Sequence, residues 1–143
     1  VAYVVDTNVV IYRHDARFPE KQAIAEGLFR EGLASGEVRI PHQVIVEFVA
    51  VATRPLAATG ARLFSDHDAR RQAESYLNQF EILWPSDALV RLALRGAAAY
   101  QLSWFDAHLW AYAEYNGIAT LYSEDFQPGR TYGSVRVVNP FAA

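Results

Sequence analysis

Four carboxylates stand where a folded chain does not leave a charge without a reason. Asp6 follows the apolar run Ala2–Val5 directly, and Asp125 follows Leu121-Tyr122-Ser123 after one intervening residue. Glu47 is the only charged side chain in QVIVEFVAVAT, from Gln43 to Thr53. Asp106 interrupts SWFDAHLWA and shares a helical face with Leu109, Trp110 and Ala113 through i+3, i+4 and i+7 spacing. Each acid has a purely structural reading. Asp6 suits a turn or a helix cap. Asp106 lies three residues after Ser103, as in a capping box with Asp replacing Glu. Ser123-Glu124-Asp125 reads as a surface turn, and Glu47 as half of a buried ion pair with Arg54 or another arginine.

Gathered in one crevice, the four would repel one another and suffer desolvation. A hard divalent cation relieves both penalties, because it selects carboxylate oxygens, and Mg2+ or Mn2+ suits an all-oxygen site. The chain has no cysteine, and His14, His42, His67 and His108 are not at paired ligand spacings. Zinc is therefore disfavoured, and the histidines read as ordinary surface or core residues. The chemistry such a site supports is phosphoryl chemistry: activating water, orienting a phosphodiester and stabilising the leaving oxygen. In that scheme Asp6 and Asp106 are direct ligands. Glu47 ligates through water or orients the attacking water, and Asp125 completes the shell. Thr7, Asn8 and Ser123 hold the carboxylates by hydrogen bonds.

The elements that must position these residues follow from periodicity and punctuation. Strands are expected at Ala2–Val5, Glu37–Ile40, Glu81–Trp84, Thr120–Ser123 and Val135–Val138. A helix or turn is expected to begin over Val9–His14, and helices over Pro19–Leu33, over Gln43–Arg54 (ended by Pro55), from a Ser65 cap to Phe80, from a Ser86 cap to Tyr100, and over Ser103–Asn116, closed by Gly117. The Glu47 helix, apolar on nearly all sides, reads as buried. Alternating strands and helices indicate one α/β domain over residues 1–143, with a mostly parallel sheet and helices on both faces. Ligands of such sheets bind beyond the carboxyl ends of the strands, where Asp6 and Asp125 fall.

Composition narrows the classes. The chain has 143 residues, 52% hydrophobic and 20% charged, with a net charge of −3. That is a compact globule rather than a disordered chain, and not a protein that coats nucleic acid by overall positive potential. No apolar run reaches the ~20 residues of a membrane span. VAYVV lacks the basic start and cleavage site of a signal peptide, so a cytoplasmic location and no membrane partner are expected. Lys21 is the only lysine. Arginine forks suit phosphate, although codon usage accounts for the bias as a whole.

In this order, DTNVV, PHQVIVEFVAVATRP, SWFDAHLWAYAEYNG and LYSEDFQPG resemble the PIN-domain ribonucleases, and within them the VapC toxins of VapBC toxin–antitoxin pairs. The resemblance runs from Val4 to about Phe141 and includes the closing VVNPF. It implies a three-layer α/β/α domain with a mostly parallel five-stranded sheet. It also implies a Mg2+- or Mn2+-dependent endoribonuclease that inhibits translation or growth, a homodimer, and a cognate antitoxin whose tail enters the active-site groove. It carries metal binding and catalysis onto Asp6, Glu47, Asp106 and Asp125, supported by Thr7, Asn8 and Ser123. The segment ATGARLFSDHDARRQAES departs most from the family, and Glu124 beside Asp125 leaves two candidates for the fourth acid.

Contacts to an RNA substrate are expected from Arg54, Arg62, Arg70 and Arg71, which follow the Glu47 helix, and from base stacking on Trp104 or Tyr100. The competing readings are a solvated helix face and core or interface packing. A haloacid-dehalogenase-like phosphatase fits poorly, because the position two residues after its first-strand Asp is Asn8. A phosphoacceptor receiver also fits poorly, because Lys21 falls in a predicted helix rather than at a strand end. A PIN domain acting in RNA processing, or one that binds RNA or a partner without cleaving, stays open.

Overall fold

The computed structural model describes residues 1–127 and 129–142. In chain order the elements are β1 (Tyr3–Val5), α1 (Thr7–Tyr12), α2 (Pro19–Ser35), β2 (Val38–Pro41), α3 (His42–Ala52), α4 (Asp66–Gln79), β3 (Glu81–Leu83), α5 (Asp87–Tyr100), α6 (Trp104–Tyr115), β4 (Thr120–Tyr122), β5 (Thr131–Tyr132) and β6 (Val135–Val138). The strands form one sheet in the order β3-β2-β1-β4-β6-β5. Its first five strands are parallel; only β5 runs antiparallel, against β6.

Among the described residues six strands stand where five were expected. The addition, β5, has two residues, too few for alternation to register. Tyr132 pairs with Val135 across Gly133-Ser134, and Gly133 takes a positive φ of 58°. That is a two-residue hairpin loop, with glycine where the backbone requires the left-handed region. The Gly-Ser step between Tyr132 and Val135 was the available signal.

Strand order fixes where a site can form. From β1 the chain steps outward to β2 and β3, then returns to lay β4 against the other side of β1. Right-handed crossovers in opposite directions put α1–α4 on one face and α5–α6 on the other, so β1 is covered on both sides and Val4 and Val5 are fully buried. On the first face Phe29, Phe48, Tyr76 and Phe80 pack edge-on or tilted, with centroids 5.5–5.9 Å apart. The reversal between β1 and β4 opens a crevice at their carboxyl ends, the usual ligand position in open α/β sheets. Three serines start helices as expected: the hydroxyls of Ser65, Ser86 and Ser103 accept from the amides of Asp68, Leu89 and Asp106.

One expectation about packing is corrected. Helix α3 is not buried all round: Val44, Phe48 and Ala52 face the core, whereas Val46 is 56% exposed. Composition alone cannot distinguish a helix covered on every side from one with an apolar face left open. Among the described residues no helix is long and apolar enough to cross a membrane.

On the second face Gly96 of α5 meets the ring of Trp110 on α6. A Cβ added at Gly96 would lie 2.2 Å from that ring, which is anchored because the indole N–H donates to the Tyr132 carbonyl at 2.9 Å. Gly96→Ala is expected to destabilise the domain by about 1–3 kcal/mol through overpacking, read as a lower urea midpoint at unchanged slope.

Candidate functional site

Asp6 is the first residue past β1 and caps α1. Its Oδ1 accepts the Thr7 amide at 2.6 Å, and its Oδ2 accepts the Ser123 hydroxyl at 2.5 Å and the Asn8 side-chain amide at 3.4 Å. Ser123 is the matching first residue past β4, and the strand pairing Val5 to Tyr122 sets the two side by side. The capping reading of Asp6 is thus correct and incomplete, since a cap accounts for one carboxylate oxygen. Asp6 is 6% exposed. Burial pushes its carboxyl up to about 7; the hydrogen bonds from Ser123 and Thr7 oppose this, and the charges of Asp125 and Glu47 add to it.

The other acids converge on the same place. Helix α3 leaves β2 directly, so Glu47 arrives one and a half turns above the sheet edge. It accepts the Thr7 hydroxyl and the Gln43 amide, each at 2.8 Å. Asp125 accepts the Asn8 amide at 3.0 Å, while its own N–H donates to the Ser123 hydroxyl at 3.1 Å. Asp106 lies in the first turn of α6. Its carboxyl is raised by partial burial and by the charges of Asp125 and Glu47, against a hydrogen bond with Ser103. Among the described residues, none of the four is in an ion pair. The expected alternative of a Glu47–Arg54 pair is therefore not what the structure contains.

Glu124 is separated from Asp125 by its partners. It takes the Tyr12 hydroxyl at 2.6 Å and the Lys21 ammonium at 3.0 Å, and it is spent on that contact. Of the two adjacent acids, Asp125 is the one that lines the groove.

The groove crosses the sheet edge in two halves, of about 340 and 350 Å3, within the range of ligand clefts. Asp6, Glu47 and Asp125 line both halves. Tyr12, Arg17 and Phe18 wall one; Gln43, Arg54, Phe105 and Asp106 wall the other. Among the described residues two buried side-chain oxygens, Asn8 Oδ1 and Gln43 Oε1, have no hydrogen-bond partner. Four carboxylates gathered along one groove without cationic partners among the described residues make an all-oxygen donor set of the kind a hard cation takes. Among the described residues no three acids or histidines are already drawn close enough to form a finished cage.

The remaining expectations divide. Arg54 reaches the groove. Arg71 lines a separate depression with Phe64 and Asp68, and Arg70 is exposed on α4. Arg62 approaches Asp66 at 3.5 Å. Trp104 lies edge-on to His108 at 4.1 Å, and its neighbour Phe105, 67% exposed, is the aromatic on the groove wall. Tyr100 packs on Trp110 and Tyr132. Three histidines have other partners: His14 bonds Tyr76 at 2.6 Å, His42 stacks on Trp84, and His108 bonds the Trp104 carbonyl at 2.9 Å. Sequence reasoning missed Gln43, Arg17, Phe18 and Phe105. Gln43 precedes Glu47 by one helical turn, a spacing that was a usable signal.

Comparison with known proteins places this architecture. The PIN domain family matches residues 3–133. Among solved structures, a DNA-bound VapBC from Salmonella typhimurium aligns with a TM-score of 0.69 at 13% identity, covering 96% of each chain. A toxin–antitoxin complex from Klebsiella pneumoniae aligns at 0.67 and 17%, covering 97% of this chain and 98% of that one. Mycobacterium tuberculosis VapC20, a Sarcin-Ricin loop cleaving toxin, aligns at 0.64 and 19%, covering 87% and 90%. No curated protein matches the chain.

Proposed function

The chain belongs to the PIN domain family, and from that premise we propose that it is a Mg2+- or Mn2+-dependent endoribonuclease acting as the toxin of a toxin–antitoxin pair. One observation carries the reading: four carboxylates without basic partners among the described residues line a groove at the reversal point of the sheet, and burial holds the central one, Asp6, up near pH 7.

Asp6, Glu47, Asp106 and Asp125 are the residues that would hold the cation. A bound Mg2+ or Mn2+ supplies Lewis-acid activation of water and compensates charge on the phosphodiester. The chain's own part is positioning. Thr7 binds Asp6 through its amide and Glu47 through its hydroxyl, so the end of β1 and helix α3 are held in one arrangement. Asn8 bridges Asp6 and Asp125 in the same way. Gln43 ties Glu47 to α6 by donating to Glu47 and to the Phe105 carbonyl, at 2.8 and 3.1 Å. Glu47, braced from two sides, orients the attacking water. Arg54 offers the substrate backbone a cation on the groove wall.

The antitoxin partner and the homodimer belong to the same reading. The likeness to solved toxin–antitoxin complexes supports the first. The test is cleavage of single-stranded RNA with Mg2+ or Mn2+ against a chelated control. Cleavage with cation alone is expected, and intact RNA under every cation condition would refute the assignment. Gln43→Ala, which frees Glu47 without removing a carboxylate, is expected to slow single-turnover cleavage about tenfold with little change in thermal midpoint.

A further inference from the structure

Beyond α1 the chain turns through residues 13–18 and presents Arg17 and Phe18 to the groove. Arg17 is built into place. Asp15, 2% exposed, accepts the Arg17 amide at 3.1 Å, its Nε at 2.9 Å and one terminal nitrogen at 2.8 Å. The guanidinium, half exposed, lies 5.3 Å from the centre of the Phe18 ring, which is itself 42% exposed. A bidentate contact fixes the plane of the guanidinium and leaves its remaining N–H groups aimed outward. The three contacts from Asp15 hold the arginine in one orientation at the groove rim.

The rest of this wall is equally fixed. Lys21 donates to Glu124 and Tyr12 and sits 4.6 Å over the Tyr12 ring. The Tyr12 ring in turn meets Phe18 and Phe141 edge-on at 5.5 and 4.9 Å. The lysine is thus spent on holding Tyr12, and Arg17 and Phe18 are the groups left to meet a ligand. They lie in the same half of the groove as Asp6, Asn8 and Asp125.

We propose that Arg17 and Phe18 form a nucleotide subsite beside the acids, in which the Arg17 fork holds a phosphate flanking the cleaved bond and the Phe18 ring stacks on an unpaired base. The subsite rests on the ribonuclease reading and deepens it, because it restricts the substrate to RNA whose bases are free to splay. The chemistry favours a nucleotide. A planar donor fork over a partly exposed aromatic ring, which Lys21 also approaches at 5.9 Å, matches an anion next to a flat base. Because Asp15 cancels the net charge of Arg17, the contact is directional and short-ranged rather than a source of long-range attraction.

The test pairs protein and substrate changes on a short single-stranded oligoribonucleotide that the wild type cleaves. Arg17→Lys, Phe18→Ala and the double variant Asp15→Asn/Arg17→Gln, which leaves no unpaired buried charge, are each expected to raise KM about tenfold with kcat nearly unchanged. An uncharged methylphosphonate at one flanking position should weaken wild-type cleavage but not further weaken the Arg17 variants. An abasic residue should do the same for Phe18→Ala. If wild-type protein cleaves the oligoribonucleotide and the variants keep its KM, or show no coupling to the modified positions, the subsite is wrong while the nuclease assignment stands. Variants that lose only inhibition by a bound protein partner overturn the subsite in the same way. If the wild type cleaves no RNA, both readings fall.

Discussion

Asp6→Asn is expected to remove cleavage while making the cation-free protein more stable at neutral pH. The loss follows from removing the carboxylate at the centre of the groove. Charge compensation by a bound cation supplies several kcal/mol to the reaction, and at 1.36 kcal/mol per decade a fall of about a thousandfold is expected. The gain follows from burial. Asp6 titrates near 7 in the fold against an ordinary value of 3.8, so the folded state holds a proton that the unfolded state has already released. Asp6 therefore penalises the fold progressively as pH rises from about 4 to about 7, and fully above that. The shift corresponds to a penalty on the order of 4 kcal/mol, some of which Asn removes. Asn keeps the shape and can still accept the Thr7 amide. Thermal unfolding in chelator should show a higher midpoint for the variant at pH 8 and no difference near pH 4. A lower midpoint at pH 8 would show that Asp6 is not a strained carboxylate.

The pH profile of the cation-free wild type has a second contributor, and its sign is opposite. His14 is lowered to about 4, chiefly by burial and also by the Arg13 charge. Between 6.5 and 4 the unfolded chain takes up a proton there and the folded one does not. Stability from His14 is therefore present above 6.5 and lost as pH falls. Over the same interval Asp6 loses stability as pH rises, so the two slopes offset and the wild-type profile should be shallow. Asp15, lowered by its contacts with Arg17, acts only in more acidic solution. In Asp6→Asn the His14 slope should be opposed only by Asp106, whose carboxyl burial also raises, so stability should rise more steeply from pH 4 to 6.5 than in the wild type. Added Mg2+ or Mn2+ should stabilise the wild type increasingly through pH 7, because ligation requires the ionised carboxyl.

Much of the fold was legible because its signals are local. Serine caps, glycine stops and short apolar runs set the elements, and the alternation of strand and helix gives the parallel sheet. β5 escaped because two residues carry no period. Exposure on α3 escaped because Val46 and Phe48 look alike in sequence, and only the neighbours of the helix decide which is covered. The four acids were legible as anomalies, each a charge in an apolar or strand-end context. The groove walls were not. Arg17 and Phe18 lie in an ordinary polar turn, and their place beside Asp6 is set by how that turn packs across the end of β1. Trp104 and Phe105 are adjacent on α6, and the rotation of the helix gives the groove to Phe105. The charged middle segment drew attention to Arg70 and Arg71, which α4 carries away from the acids.

Asp125→Asn is expected to lower cleavage by at least about a hundredfold, whereas Glu124→Gln should leave turnover within a few-fold of the wild type. The two acids are adjacent and chemically alike, so sequence left them equivalent. Their partners separate them. Asp125 faces Asn8 and, through it, Asp6, with no cation beside it among the described residues. Glu124 is held by Lys21 and Tyr12 on the outer wall. Asn at position 125 removes a charge that a metal would use. Gln at position 124 removes the Glu124 charge from Lys21, which keeps Tyr12 as a partner, and loosens Tyr12, so its effect belongs to stability and is small for an exposed pair. Because Tyr12 packs on Phe18, the same change should raise KM slightly at most. Cation titration followed by thermal shift supplies the independent reading: Asp125→Asn should need more Mn2+ for half-maximal stabilisation, and Glu124→Gln should need the same as the wild type. The reverse pattern would move the fourth ligand to Glu124 and require the Lys21 contact to open when the cation binds.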